Sequence, residues 1–142
     1  MISLEKIMTK DVVTVSRSTE LYDAIRMMVD GNITGLPVVD DENTLEGIVT
    51  EKDVMRFLLN THTTQGTVED CMIADVTSFN VGDSLEDVIC ALVEKGFRRV
   101  PIVSEGKLEG IVSRRDVIAY IFSCELKDRG KLVGMVAGKV FD

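Results

Sequence analysis

Residues 45–53 read LEGIVTEKD, and residues 108–116 read LEGIVSRRD. Each string begins with an apolar run that contains a glycine, and each ends in the spacing Ser/Thr-x-x-Asp. An apolar run followed by a hydroxyl residue and an acid three positions later predicts a strand that leads directly into a helix, because such side chains cap the free N–H groups of a helix start. The near-identity of the strings indicates that the chain contains a repeated unit.

The repeat extends well beyond these two strings. Residues 7–41 align with residues 71–105, and residues 45–55 align with residues 108–118. Sixteen of the 46 aligned positions are identical. Two copies are too few for a solenoid. We therefore expect two like units that face each other across a pseudo-two-fold axis.

The first helix of each repeat follows polar residues typical of a helix start. Ser18 and Thr19 precede the first copy, and Asp83 and Ser84 precede the second, where Asp83 and Glu86 have the spacing of a capping box. The helices themselves have apolar residues at i, i+3, i+4 and i+7, which predicts one buried face. These residues are Leu21, Ala24, Ile25 and Met28 in the first copy and Leu85, Val88, Ile89 and Leu92 in the second.

The remaining elements have the same order in both copies. A short extended stretch comes before the first helix, and two apolar runs predict a hairpin after it, with strands covered on both faces. A second helix closes the unit. The predicted extended stretches are 12–15 and 76–79, the hairpins are 36–49 and 100–112, and the closing helices are 51–59 and 114–122. The expected fold class is α/β (α+β), with two β-α-β-β-α repeats.

This pattern divides the chain into four parts. Residues 1–60 are the first repeat, residues 61–70 are a polar linker, and residues 71–123 are the second repeat. Residues 124–142 form a C-terminal tail, for which we expect a strand or helix that packs on a partner surface.

Composition excludes several classes of protein. With 142 residues and 45% hydrophobic content the chain can bury a core, so a disordered chain is not expected. The net charge of −8 argues against a general nucleic-acid binder, which needs clustered basic residues. Neither a signal peptide nor an apolar run long enough to span a membrane occurs, which predicts a cytoplasmic protein without membrane contact.

The three cysteines, Cys71, Cys90 and Cys124, form no metal-ligand spacing with the single histidine, His62. We therefore expect buried or half-buried free thiols and no structural zinc. The sequence also offers no base placed beside a nucleophile and no phosphate-binding glycine loop, so an enzyme is not expected.

The Ser/Thr-x-x-Asp spacing has two interpretations. Capping of a helix start explains the residues completely. Free N–H groups and the helix dipole at the same place also favour a bound phosphate. The residues alone leave both interpretations open.

The ordered set of motifs resembles the cystathionine β-synthase (CBS) domain family, and specifically a tandem CBS pair, or Bateman module, over about residues 4–123. The resemblance rests on three motifs that occur in both copies: the opening strings at 8–12 and 72–76, the Pro-containing strands at 36–39 and 100–103, and the strings 47–53 and 110–116.

The resemblance implies two clefts that bind an adenosine nucleotide such as AMP, ADP, ATP or S-adenosylmethionine. Its ribose-binding residues would be Thr50 and Asp53 in one cleft and Ser113 and Asp116 in the other. The adenine wall would contain Val12 and Ile33 facing Asp116, and Val76 and Phe97 facing Asp53.

The phosphate-binding residues implied by the resemblance lie shortly before the Pro or at the closing helix. They are Arg98, Arg99, Arg115 and Lys52. The first repeat has Ile33, Thr34 and Gly35 where the second has Phe97 and the two arginines, so we expect unequal clefts.

The leading functional hypothesis is a non-catalytic nucleotide sensor that acts on a partner protein in trans through a ligand-biased conformational change. No cofactor is required, and whether Mg²⁺ accompanies the nucleotide stays open. The resemblance also implies a homodimer, to which Phe57, Leu58, Tyr120 and Ile121 would contribute unless they are core.

The alternative is a structural interaction or dimerisation module with non-binding clefts. Nucleic-acid binding through Arg98, Arg99, Arg114 and Arg115 is a third, less favoured hypothesis.

Overall fold

The computed structural model describes residues 2–127, which form two compact units. Within these residues, unit 1 contains 2–12, 77–105 and 109–127, and unit 2 contains 13–76 and 106–108. The tail predicted at 124–142 begins inside a helix that ends at Lys127, and the remainder, 128–142, lies outside the described residues.

Unit 2 contains helix α1 (Leu21–Gly31), strands β1 (Gly35–Val39) and β2 (Leu45–Thr50), and helix α2 (Glu51–Thr61). The two strands are antiparallel neighbours, as the hairpin pattern predicts. The preceding extended stretch adds a single parallel bridge, in which the Val15 N–H donates to the Pro37 carbonyl (3.0 Å).

Unit 1 repeats this order. It contains strand β3 (Phe79–Asn80), helix α3 (Leu85–Glu94), strands β4 (Arg99–Ser104) and β5 (Lys107–Ser113), and helix α4 (Arg114–Lys127), and the first two residues of β5 count with unit 2. Strand β3 is parallel to β4, and the strand order is β3-β4-β5. Unit 1 therefore has the predicted β-α-β-β-α order, whereas in unit 2 the first strand is reduced to the single bridge at Val15. The predicted α/β class is confirmed.

Each unit has its own hydrophobic core, and the predicted helix stripes lie in it. Burial of apolar side chains against the sheet is the main force that holds such units together. The buried residues of the unit 2 core are Val15, Leu21, Ala24, Met28, Leu36, Val38, Val49, Val54, Val68 and Cys71. Those of the unit 1 core are Leu4, Ile7, Met8, Leu85, Val88, Leu92, Val100, Ile102, Val112 and Val117.

The segments that open the two sequence repeats are exchanged between the units. Leu4, in a 3-10 helix at Leu4–Lys6, is buried in the core built by the second repeat. Val68, in a 3-10 helix at Val68–Asp70, is buried in the core built by the first repeat. The compact units thus differ in their opening segments from the sequence repeats, and the end of the polar linker at 61–70 is part of a core.

The same exchange continues at the sheet edges. Thr9 forms an antiparallel bridge to Ile111 of β5, with N–H to carbonyl distances of 2.8 and 2.9 Å. Ile73 forms the equivalent bridge to Ile48 of β2, at 2.8 and 3.0 Å. Each opening segment therefore covers the outer edge of a hairpin, and edge pairing of this kind satisfies backbone groups that would otherwise need water.

The glycine in each quoted string allows this close approach. A Cβ at Gly110 would lie 2.7 Å from the Thr9 carbonyl oxygen and 2.8 Å from the Met8 sulfur. A Cβ at Gly47 would collide with the Ile73 carbonyl oxygen and would lie 2.6 Å from the Met72 side chain. A side chain at either position would push the opening segment away from the strand.

Two details of the helix starts differ from the sequence interpretation. Helix α3 is capped by Ser84, whose hydroxyl accepts from the Asp87 N–H (3.1 Å), so the predicted capping box of Asp83 and Glu86 is wrong. Asp83 instead accepts from the Asn80 N–H (2.8 Å) and closes the preceding turn. Helix α1 begins after Glu20 without a side-chain cap.

Burial also differs from expectation in part of each sheet. Strand β1 and the centre of β4 are buried on both faces as predicted, but β2 and β5 alternate between buried and partly exposed residues. Among the cysteines, Cys71 is buried and Cys124 is half-buried, whereas Cys90 is exposed, contrary to prediction. Burial raises the pKa of the Cys71 thiol, and the charges of Asp70 and Asp53 raise it further.

We expect Gly47→Ala and Gly110→Ala each to destabilise the protein by about 1–3 kcal/mol, because a methyl group would overlap backbone that cannot move without breaking the edge bridge. Gly82→Ala is the matched control, since a Cβ at that position would have no atom within 4 Å. Urea unfolding of the three variants measures the difference. Equal stability of all three would show that the edge segments do not pack closely against these strands.

Candidate functional site

The strand-to-helix junction of unit 2 is built by Thr50 and Asp53. Thr50 is the N-cap of α2, and its hydroxyl accepts from the Asp53 N–H (3.3 Å). In turn, Oδ2 of the Asp53 carboxylate accepts from the Thr50 N–H (2.9 Å) and from the Thr50 hydroxyl (2.8 Å). The capping interpretation of the motif is therefore confirmed here in both directions.

The second oxygen of Asp53 also has a partner. The Arg56 guanidinium donates from Nη1 to Asp53 Oδ1 at 3.2 Å, one helical turn along α2. Asp53 is only 6% exposed. Sequence reasoning missed Arg56, although its i,i+3 spacing from Asp53 is a signal that can be read from the sequence.

The junction of unit 1 is built by Ser113 and Asp116 in the same manner. Asp116 Oδ2 accepts from the Ser113 N–H (2.8 Å), and the Ser113 hydroxyl accepts from the Asp116 N–H (3.1 Å). The residue equivalent to Arg56 is Ala119, which carries no charge. Asp116 is half-buried, so its carboxylate is more accessible than that of Asp53.

Each junction lies beside the residue that precedes the Pro-containing strand. The Glu51 N–H donates to the Thr34 carbonyl (3.0 Å), and the Arg114 N–H donates to the Arg98 carbonyl (3.1 Å). The first N–H group of each closing helix is therefore satisfied by this loop. The fold brings residues 97–99 next to the start of α4, as it brings residues 33–35 next to the start of α2.

Arg114 forms hydrogen bonds to two backbone carbonyls of unit 1. Its Nε donates to the Phe97 carbonyl (2.9 Å), and its Nη2 donates to the Leu92 carbonyl (3.4 Å) near the end of α3. With Leu92 and Val93 it lines a pocket of about 280 Å³. A cation at this place also interacts favourably with the negative end of the α3 dipole. The guanidinium of Arg114 thus joins α3 and the loop before β4 to the start of α4.

The four basic residues predicted to meet phosphate are distributed unequally. Arg98 and Arg115 are exposed, and Arg99 is half-buried; all three belong to unit 1 and flank the start of α4. Lys52 is exposed at the start of α2 in unit 2, where Glu51 precedes it and Thr34 stands in place of Arg98. The positive charge of the candidate site is therefore concentrated around Ser113 and Asp116.

The predicted adenine wall is divided between the units. The exchanged opening segments place Val12 in the same unit as Asp116 and Val76 in the same unit as Asp53. Ile33 belongs to unit 2 and Phe97 to unit 1, each beside the junction of its own repeat. All four side chains are half-buried.

The closing helices also expose apolar side chains. Met55 and Leu59 on α2, and Ile118 and Phe122 on α4, are spaced four residues apart and are largely exposed. The residues named from the sequence as interface or core, namely Phe57, Leu58, Tyr120 and Ile121, all pack against the cores. Burial and a contact with Cys124 raise the pKa of Tyr120 to about 12.

Residues 2–127 contain neither a metal-binding cluster nor a membrane-spanning helix. In this part of the chain, no His, Cys, Asp and Glu side chains form a group that could hold a metal ion. None of the helices within the same range has the length and apolarity needed to cross a bilayer.

Comparison with known proteins places this site in a family. The CBS domain model matches residues 4–60 and 68–123. The chain is 37% identical over 120 residues to an uncharacterized protein, MJ1225, of Methanocaldococcus jannaschii, and the match covers 84% of this chain but 43% of MJ1225. It is 32% identical over 126 residues to the CBS domain-containing protein YhcV of Bacillus subtilis, covering 88% of this chain and 89% of YhcV.

Among solved structures, the chain is similar to CBSX2 of Arabidopsis thaliana in complex with AMP. The TM-score is 0.79 and the sequence identity is 30%, with 88% of this chain and 99% of that chain covered. The two family matches correspond to the two repeats and include both Ser/Thr-x-x-Asp junctions. The chain therefore belongs to the CBS domain family and contains two copies of the domain.

Proposed function

We propose that this chain is a non-catalytic regulatory module that binds an adenosine nucleotide. The observation that carries the proposal is the junction of Ser113 and Asp116, with the exposed Arg98 and Arg115 at the same helix start. The similarity to CBSX2, which was solved with AMP, supports the same ligand class. AMP, ADP, ATP and S-adenosylmethionine share the adenosine that such a site would recognise.

The chemistry of the junction suits a nucleotide. Asp116 uses one carboxylate oxygen for the Ser113 N–H, and a ribose hydroxyl can donate to the other. The start of α4 carries the positive end of a helix dipole, and Arg98 and Arg115 add charge that pairs with phosphate oxygens. Val12, in the same unit, offers half-buried apolar surface for a base.

Regulation would follow from differential binding. A nucleotide that prefers one arrangement of the protein shifts the population toward it, and an effector protein in trans that prefers the same arrangement then binds more tightly. A thermal-shift series with AMP, ADP, ATP, S-adenosylmethionine and GTP identifies the ligand, because a ligand that binds only the folded state raises the melting temperature.

A structural interaction module is the second candidate function. The observation that favours it is the Asp53 carboxylate, both oxygens of which are already hydrogen-bonded within the chain. For the Asp53 junction, capping is therefore a sufficient explanation. The half-buried Asp116 and its basic surroundings favour ligand binding at the other junction.

Asp116→Asn is expected to weaken AMP binding about 10-fold to 100-fold, because a hydrogen bond to a charged group contributes about 1.5–3 kcal/mol. Asparagine keeps an acceptor for the Ser113 N–H, so the helix cap is retained. Isothermal titration calorimetry measures the affinity, and thermal unfolding without ligand checks the fold. The control is Asp41→Asn, which removes an exposed carboxylate from the turn of unit 2; an equal loss in the control would contradict the assignment.

Arg98→Gln and Arg115→Gln are expected to reduce the preference for AMP over adenosine, because each removes a positive charge from the phosphate and leaves the nucleoside contacts intact. Calorimetry with AMP and adenosine at two salt concentrations measures this preference. The control is Arg26→Gln on α1, since Arg26 forms only an exposed ion pair with Asp23. If both variants lower AMP and adenosine affinity equally, these arginines do not contact the phosphate.

The proposed module also forms a homodimer through the exposed apolar residues of its closing helices, Met55 with Leu59 and Ile118 with Phe122. Met55→Lys and Ile118→Lys are expected to raise the dimer dissociation constant by about tenfold or more, because a lysine charge would have to be desolvated at the interface. Sedimentation equilibrium measures the constant. Val13→Lys, which changes an exposed apolar residue outside the helices, is the control, and an unchanged dimer in both helix variants would place the interface elsewhere.

A further inference from the structure

Arg56 is a residue of the Asp53 junction that has no charged counterpart in the other repeat. In unit 2 the Asp53 carboxylate accepts from the Thr50 N–H at 2.9 Å, from the Thr50 hydroxyl at 2.8 Å and from Arg56 at 3.2 Å. These three donors use both carboxylate oxygens, and 6% of the residue is exposed. Because the carboxylate is buried and both of its oxygens already accept hydrogen bonds, a ribose hydroxyl must compete with these donors for it.

Of these donors, Arg56 is the one that can leave. The Thr50 N–H and hydroxyl are held by the capping geometry of α2. The Arg56 side chain is 53% exposed, so its guanidinium can turn into solvent while an incoming ribose hydroxyl replaces it as the donor to Asp53. In unit 1 the equivalent position is Ala119, and the Asp116 carboxylate is half-buried without such a cover.

We propose that Arg56 is a specificity-determining residue, which competes with the ribose for Asp53 and thereby reserves the nucleotide for the Asp116 junction. This inference rests on the proposed function and assigns an order to its two sites. The nucleotide occupies the Asp116 junction first, and it occupies the Asp53 junction only at higher concentration, when Arg56 rotates away from the carboxylate.

The competing role for Arg56 is that of a phosphate ligand, since it lies on the same helix as Lys52. The two roles have opposite signatures. A competitor for Asp53 opposes the ribose, so its removal strengthens AMP and adenosine binding alike. A phosphate ligand attracts the anion, so its removal weakens AMP binding and leaves adenosine unchanged.

The experiment inactivates one junction at a time, and in the other it removes the arginine at position 56 or introduces one at position 119. In an Asp116→Asn background, Arg56→Ala is expected to strengthen binding of both AMP and adenosine by about fivefold or more, measured by isothermal titration calorimetry. In an Asp53→Asn background, Ala119→Arg is expected to weaken both by a similar factor, because it places the same donor one turn from Asp116. Both substitutions change largely exposed positions, and thermal unfolding without ligand confirms that the variants fold.

The outcomes separate this inference from the proposed function. Binding of AMP by the wild-type protein with no change on Arg56→Ala overturns the inference alone. A loss of AMP affinity with unchanged adenosine affinity also overturns it and assigns Arg56 to the phosphate. Absence of binding by the wild-type protein and by every variant overturns the proposed function, and the inference with it.

Discussion

The hydrogen bonds that close each strand-to-helix junction are the interaction on which the rest of the structure depends. A helix begins with N–H groups that have no partner inside the helix. At α2 and α4 a hydroxyl residue and an aspartate satisfy these groups reciprocally, and the carbonyl of residue 34 or 98 satisfies one more. Each interaction of this kind contributes about 1 kcal/mol. Together they fix the direction in which the helix leaves the strand, and so decide which helix face meets the core.

Capping competes with ligand binding, because a carboxylate that caps a helix has fewer acceptor sites left for a ligand. Asp53 and Asp116 occupy equivalent positions and make the same bond to the backbone of the preceding Thr or Ser. What differs is the second oxygen, which Arg56 occupies in one unit and which no equivalent side chain can occupy from Ala119 in the other. The presence of Arg56 opposite Ala119, together with the arginines near Ser113, therefore distinguishes the two junctions, while the fold of the strand and helix is the same.

The sequence predicted those features that depend on local pattern. The stripes of α1 and α3, the hairpins and the closing helices follow from spacing alone, and the structure confirms them. The exchange of the opening segments could not be predicted from local pattern, because Met8 and Met72 occupy equivalent positions of the two repeats and either pairing of segment with hairpin satisfies the same pattern. The cap of α3 was misassigned because Asp83 and Ser84 are both good caps, and only the turn at Asn80 decides between them. Whether the predicted ribose, phosphate and adenine residues bind a ligand depends on contacts with that ligand, and a local sequence pattern does not contain those contacts.

The exchange has a consequence for how the duplicated chain holds together. Gly47 and Gly110 leave room for a backbone strand, and that strand is supplied in each case from the segment that opens the other repeat. The core of each unit likewise includes a fully buried residue from that segment, Leu4 in one and Val68 in the other. Without the segment from the other repeat, each hairpin of this fold would lose its edge partner and each core a buried residue, which would expose apolar surface together with unpaired N–H and C=O groups. In this fold each unit therefore depends on a segment from the other repeat. Arg56, Ala119, Arg98 and Arg115 have exposed side chains, so divergence at these positions leaves the two cores and the edge bridges unchanged.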